Sequence, residues 1–412
     1  MPHDSKIKQL LLSGEPLAGE FWPADGGEPA HCLVRWTDDD GAQVELIEPP
    51  RGWKGKLGGA GFTLHGVTTN DEEISLLGAW VKRIEIGDRI SRLHSSTVAI
   101  GALTTPDERW PQILYSTANL SEWRHENGLS YSDPTPRKPR HMRVDFDAPP
   151  TEAVQIPSAS LSFEVKGDTA WAYAPDWSIR TWLDFIVRPN RSRTLDQAHH
   201  DFAQPLLAFM HFASDRPDSL TREVLWNLDA RRRIEVLREG KRVTPREWRP
   251  SQHRYLFQRD DLPDLSKAIR RWWKLHRQVQ PSLGLFADHL SHGNVYSPGR
   301  LLTLYTSLEK YSRTRFHEKG EFKGLRSYGG VPWAVTGCTN GALKLLGASR
   351  GYFAHADIKG DKFTPEQIQE NTLESTRRAS ALMQSCLLRE IGFRKQERIE
   401  LMQRHYRNWL IP

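Results

Sequence analysis

The chain has 412 residues, too long for one ordinary domain and suited to two or three. Its 38% hydrophobic and 26% charged residues read as soluble, globular material with enough apolar side chains for real cores. A formal net charge of +6 permits a nucleic-acid partner without demanding one.

No run approaches the ~18 apolar residues of a membrane span. The opening MPHDSKIKQLLLSGEP lacks the apolar stretch and small-residue cleavage site of a secretory leader. Cys32, Cys338 and Cys386 are far apart, form no CxxC pair and have no zinc spacing. A cytoplasmic setting with reduced thiols and no membrane partner is therefore expected. Fifteen tryptophans are read mostly as core or interface residues. Acidic runs (Asp38-Asp39-Asp40, Asp71-Glu72-Glu73) come early. Basic clusters come later: Arg231-Arg232-Arg233, Arg270-Arg271, Arg377-Arg378 and the tail from Arg394 to Arg407. Such clusters are usually solvated helix faces; their shared place in the C-terminal half favours nucleic acid slightly.

From residue 17 to about 90, LVRW, QVELIE, GFTLHGVT and ISLLGAWVKRIEI alternate apolar with polar or carry β-branched residues, which predicts strands. Asp38 to Gly41, Pro49-Pro50, Gly58-Gly59 and Asn70-Asp71 break them. STVAIGAL, QILYSTANL, MRVDF, ASLSFEVKG, TAWAYAP and RTWLDFIVRP continue the β-rich pattern, with Asp133-Pro134-Thr135-Pro136 and Pro149-Pro150 as loops. Leu195 to Phe212 turns helical, with a kink expected at Pro205. Residues 220–258 are mixed: LTREVLWNL is one more possible strand and PREWRPSQ a loop. From Leu262 the period becomes helical, with helices expected near 263–290, 298–316, 333–356, 365–391 and 393–410. Thr364 is a good N-cap with Pro365 at the first helical position. The expected fold is α+β and multidomain: a β-rich half of antiparallel sheets, sandwich-like, then an antiparallel helical bundle. The divisions are drawn at 1–92, 93–261 and 262–412.

One segment carries chemistry. Ser349-Arg350-Gly351-Tyr352-Phe353-Ala354-His355 holds an Arg-x4-His pair after an apolar helical run (Ala342, Leu343, Leu345, Leu346). Upstream, LLTLYTSLEKYSR carries Glu309. The segment resembles the HEPN superfamily of metal-independent ribonucleases, whose signature is Arg followed four to six residues later by His on the third helix of a four-helix bundle. At the other end, Gly19, Phe21 and Trp22 in LAGEFWPADG, then LVRWTDDDGAQVELI and FTLHGVTTNDEEISLLG, resemble the N-terminal domain of ApeA-type abortive-infection proteins. Together the resemblances imply an anti-phage endoribonuclease with a sensing β half and a cutting helical half. Host RNA, transfer RNA included, is the implied substrate, and a phage-derived trigger is an implied partner. Arg350 and His355 are the implied catalytic pair, with Glu309 and Tyr352 supporting and Arg313, Lys359, Lys362, Arg377 and Arg378 as RNA contacts. Gly351 departs from the pattern: the superfamily usually has a polar residue there.

The residue types suit that chemistry. RNA carries its own nucleophile, the 2′-hydroxyl. Cleavage needs a base, an acid and positive charge for the developing phosphorane. Histidine can do either proton job near neutrality, and arginine offers a planar fork to phosphate. No metal or other cofactor is called for. On a straight helix, residues five apart diverge by about 140°. A two-fold homodimer would let two copies of the pair share one cleft.

Other readings stay open. Arg350 and His355 also suit a plain helix C-terminus, where cations meet the negative end of the dipole, and the bundle would then serve only binding or dimerisation. Gly347-Ala348-Ser349-Arg350-Gly351 matches the G-x-S-x-G elbow of α/β-hydrolases, but TNGALKLL before it reads as helix, not strand. KGKLGGAG lacks the ending of a phosphate-binding loop and reads as a turn. His199-His200 and His211 read as packing, and Trp272-Trp273 as core or interface rather than base-stacking residues.

Overall fold

A computed structural model of the chain describes residues 5–47, 53, 61–85, 89–124, 129–132, 143–171, 177–240, 255–291, 297–318, 322–330, 339–355 and 363–406. The N-terminal half is β-rich and the C-terminal part is helical. Lys359 and Lys362, most of the glycine-rich run 54–61, the Asp133–Pro136 loop, Cys338 and all of PREWRPSQ lie outside the described residues.

A short helix α1 (Lys6–Leu12) precedes six strands: β1 (Leu17–Pro23), β2 (Ala30–Thr37), β3 (Gly41–Leu46), β4 (Phe62–Thr68), β5 (Glu73–Glu85) and β6 (Arg89–Ser95). They close into a barrel in the order β5, β4, β1, β2, β3, β6 and back to β5. Phe21, Val34, Trp36, Val44, Leu64 and Leu93 fill it, and Ile7 and Leu11 of α1 join this core. Phe21 has its place because Gly66, directly opposite on β4, has no side chain: a β-carbon there would collide with the Phe21 ring.

The rest of the sheet extends from the barrel wall instead of stacking on it as a sandwich. β5 is long enough to hold two partners on one edge. Its second half pairs with β6, and residues Ile74–Leu77 pair with β7 (Thr97–Ile100). Beyond β7 come β15 (Arg232–Arg238), β14 (Leu220–Asn227), β8 (Gln112–Thr117), β13 (Trp177–Pro189), β12 (Ala159–Trp171) and β11 (Glu152–Ile156), all antiparallel. β9 (Leu129–Ser132) and β10 (Arg143–Phe146) form a separate hairpin. ASLSFEVKG and the start of TAWAYAP, read as two strands, are one strand, because β13 pairs with β12 along its whole length. The mixed segment yields two strands; Arg231 ends the turn between them and Arg232 and Arg233 open β15. Arg231 takes φ 52°, Arg232 pairs with Glu108 over the Trp110 ring, and Arg233 lies over Trp226. That cluster is structural.

One face of the extension packs under helices: α2 (Leu120–Arg124) and a rod formed by α3 (Leu195–Ala198), a π turn (His199–Ala203) and α4 (Gln204–Ser214). Pro205 lacks the N–H that would bond the Asp201 carbonyl, and the π turn sits one residue ahead of that gap. Next comes α5 (Leu265–Ser291), broken at Val279 (φ −125°) just before Pro281. Its first half lies beside edge strand β11, with Ser266 Oγ donating to the Ala153 carbonyl. Its second half packs on α6 (Pro298–Phe316), where Ser282 and Ser307 donate to each other's carbonyls at 2.8 Å. α7 (Lys323–Gly329), α8 (Asn340–His355), α9 (Pro365–Ile391) and α10 (Lys395–Tyr406) follow. α5, α6, α8 and α9 contact one another in cyclic order, with α9 also touching α6. Thr364 caps α9 as expected, accepting from the Gln367 N–H in a capping box. One apolar core runs from the extended sheet through α5 into these helices. No helix among the described residues is long and apolar enough to cross a membrane.

Two predictions follow from the packing. Gly66→Ala should lower Tm by several degrees, an overpacking cost of about 1–3 kcal/mol. Adding Phe21→Leu should recover part of the loss, and unchanged melting in the single variant would refute the fit. His211 and His276 are held at about 4 by burial, below the ordinary 6.5, so both are neutral in the fold. The stability tied to their neutrality is complete above pH 6.5 and is lost as pH falls toward 4. Asp218, raised to about 7 by burial, contributes the opposite slope, so the comparison is with a variant. The urea midpoint of His276→Gln should fall less than wild type between pH 6.5 and 4; parallel curves would refute it.

Candidate functional site

α8 begins where Thr339 Oγ1 accepts the Ala342 N–H at 3.1 Å. Ala342, Leu343, Leu346 and Ser349 recur at helical spacing and are its buried stripe. Ser349 is fully buried and its hydroxyl donates to the Leu345 carbonyl one turn back, at 2.8 Å. The G-x-S-x-G segment therefore lies inside a helix, with its serine turned into the core, and cannot form a nucleophile elbow.

Arg350 follows on the half-buried shoulder of the helix. Its guanidinium reaches across to α6 and sits over the Tyr305 ring, 5.6 Å from the centroid. Tyr305 is 7% exposed and is held edge-on by Phe322, with centroids 5.2 Å apart. Burial raises the Tyr305 hydroxyl pKa, Glu309 raises it further and Arg350 opposes. One turn beyond Glu309, Arg313 pairs with it at 3.4 Å. Tyr305, Glu309 and Arg313 thus run as one i, i+4, i+8 row along α6, with the Arg350 cation over its first member. Among the described residues no carboxylate reaches ion-pair distance of Arg350. Its charge is offset only by an aromatic face, worth about 0.5–1 kcal/mol at a partly exposed site.

The other expected residues are placed differently. His355 is exposed at the end of α8, and no contact joins it to Arg350 within the chain. Tyr352 turns toward α9: its hydroxyl accepts from Gln369 at 3.4 Å and its ring meets Phe353 at 5.1 Å. Arg377 and Arg378 lie about 12 Å along α9 from Gln369 by helical rise. Arg378 pairs with Glu374, and Arg377 acts electrostatically on Arg300 at another junction. Neither therefore joins the Arg350 cluster.

Sequence reading missed Tyr305, though its four-residue spacing from Glu309 signals a shared helix face. It also missed a polar network at the foot of the helices. Asp215, the left-handed cap of α4 (φ 51°), accepts from His405 at 2.7 Å and from Gln384 at 2.5 Å, and Gln384 accepts from Tyr406. Nearby, Arg404 grips Asp261 through two hydrogen bonds of 3.0 and 2.6 Å. Trp272 and Trp273 are both buried, 0% and 3% exposed, so neither can stack a base.

No curated protein and no solved structure matches the chain. A family model does: ApeA N-terminal domain 1 matches residues 16–272, from the first barrel strand to Trp272 in the first half of α5. That span exceeds half the chain, and the protein belongs to the ApeA N-terminal domain 1 family.

Proposed function

We propose that the protein is a metal-independent endoribonuclease of anti-phage defence, whose helical region is a HEPN-type nuclease working as a two-fold dimer. One observation carries the reading. Arg350, a cation with no carboxylate partner among the described residues, is braced on Tyr305 five residues before an exposed histidine, on the third of four long mutually packed helices. An ion-paired arginine would have to break its pair to accept phosphate, and Arg350 has none to break. In this reading Arg350 binds the phosphate and stabilises the charge that builds on it, and His355 moves protons to and from the 2′- and 5′-oxygens. Membership of the ApeA family supports the defence role. Host RNA, transfer RNA included, is the substrate in this proposal.

Divergence of Arg350 and His355 within one chain is the reason for a dimer. The outer side of α8 supports it: Gly341, Lys344, Ala354 and His355 are exposed, and Gly347 has open space where a side chain would stand. A second α8 can approach there. Gly351 and the lack of contact between the pair favour a second reading, a non-catalytic dimerisation bundle.

Two measurements separate these. Arg350→Ala should cost no more than about 1 kcal/mol of stability by urea unfolding; a loss several-fold larger would mark the arginine as structural. His355→Ala should keep the fold and lose cleavage of total bacterial RNA, while wild-type cleavage persists in EDTA. Equal RNA profiles for wild type and variant would sink the nuclease reading. Cleavage abolished by chelator and restored by magnesium would sink its metal-free form.

A further inference from the structure

The first half of α5 buries one side under the sheet and α4 and leaves the other to solvent. Lys267, Arg270, Arg271, Lys274 and Arg277 all stand on the exposed side. Their spacings of three and four residues put a like charge one turn from each, an arrangement that repels itself. Among the described residues none has a carboxylate within 4.0 Å. Three arginines on other elements are paired by contrast: Arg259 with Glu152, Arg315 with Glu390, Arg404 with Asp261. The polar contacts of the stripe are neutral. Arg270 donates to the Ser266 carbonyl and Arg277 to Ser158 Oγ, at 3.2 and 3.1 Å. Arg271 lies over Gly392, and Arg394 and Lys395, both exposed, follow in the chain.

A solvated helix face in a charge-balanced protein intersperses acids with bases, and this one does not. It is a rigid cationic row about 15 Å long, with charges about one helical turn apart. That matches a polyanion of regularly spaced phosphates, which lysine meets as a point charge and arginine as a fork. Membrane docking would need an apolar flank beside the cations, and the apolar flank of α5 is covered, with Trp272 and Trp273 inside the protein. The row is also separate from the Arg350 cluster. Arg271 lies at Gly392, and two residues earlier Glu390 accepts from Tyr311, which stands about 9 Å along α6 from Tyr305, so the row is set back roughly 20 Å from the Arg350 cluster.

We propose that the exposed face of α5 docks the phosphate backbone of a folded RNA, roughly 20 Å from the arginine that holds the phosphate to be cut. The choice of RNA rests on the ribonuclease reading. The geometry adds a substrate class: a structured RNA long enough to touch both places.

The test uses the full chain carrying His355→Ala and a fluorescently labelled transfer-RNA transcript, with affinity measured across a salt series. Lys267→Gln/Arg271→Gln/Lys274→Gln, shown to be folded by circular dichroism, should weaken binding at least about ten-fold. The log–log salt slope should become shallower by about two to three. A short single-stranded oligonucleotide, able to reach only the cutting residues, should be cleaved equally by the otherwise wild-type protein with and without the three substitutions. Unchanged affinity and slope would overturn the proposal. Binding to phosphatidylserine vesicles but not to the transcript, lost in the triple variant, would overturn it in favour of a membrane surface. If wild type cuts nothing yet the triple variant loses the transcript, the docking face stands and the nuclease reading falls. If wild type cuts RNA and the triple variant binds it unchanged, the reverse holds.

Discussion

The protein depends on the burial of two adjacent indoles. Consecutive helix positions point about 100° apart, so Trp272 and Trp273 can both be buried only if α5 lies in a groove walled on two sides. α4 supplies one wall: Trp272 stacks on Phe212 at 5.5 Å and meets Phe209 edge-on. β13 supplies the other, with Phe185 5.8 Å from Trp273. Each indole N–H also needs an acceptor. Trp272 donates to the Pro205 carbonyl at 2.8 Å and Trp273 to the Asp201 carbonyl at 3.3 Å. The Asp201 carbonyl is the one left without its usual helical partner by Pro205. A proline that weakens the rod α3–α4 thus creates the acceptor that seats α5. Burying two such rings contributes several kcal/mol each and fixes the start of α5, where the family match ends, against α4 and the sheet.

That link sets where everything else can be. The first half of α5 is fixed along edge strand β11, which covers an open edge and turns the cationic side outward. After the break at Val279, its second half leads into the helices that hold Arg350. α10 returns to the domain and ties the far end. Arg404 grips Asp261, His405 reaches Asp215, and the buried Arg398 donates to the Gly329 and Ser385 carbonyls. These polar ties lie at a junction where burial is partial, so their strength depends on geometry more than on charge. They join α10 to Asp215, Asp261, Gly329 and Ser385, all outside that helix.

The site has the same character. Tyr305 is useful to Arg350 because Phe322, more than a dozen residues away, holds its ring edge-on, and because Ser349 turns the preceding position into the core. An arginine braced on an aromatic ring keeps its charge and its orientation together. A free arginine on a helix surface keeps only its charge.

Much of this was legible in the residues. The change from alternating to helical period near Leu262, the Thr364–Pro365 start of α9, the helical irregularity beside Pro205 and the Arg-x4-His segment on a helix all depend on neighbours within a turn or two, and local pattern records such neighbours faithfully. The rest depends on partners far away. Trp272 finds its acceptor 67 residues back. Barrel closure follows from β5 splitting one edge between two strands, which turns a reading of sandwich-like sheets into a single sheet that closes and then extends. Arg231-Arg232-Arg233 reads as a basic cluster in sequence because Arg232 and Arg233 find their partners only once Trp110, Glu108 and Trp226 are beside them. The sequence alone determined which segments are strands and helices and which residue types are available for chemistry, since both are set by side-chain period and composition. Only the tertiary structure decided which cations stay unpaired, at Arg350 and along α5, because pairing is a matter of which carboxylates the fold brings within reach.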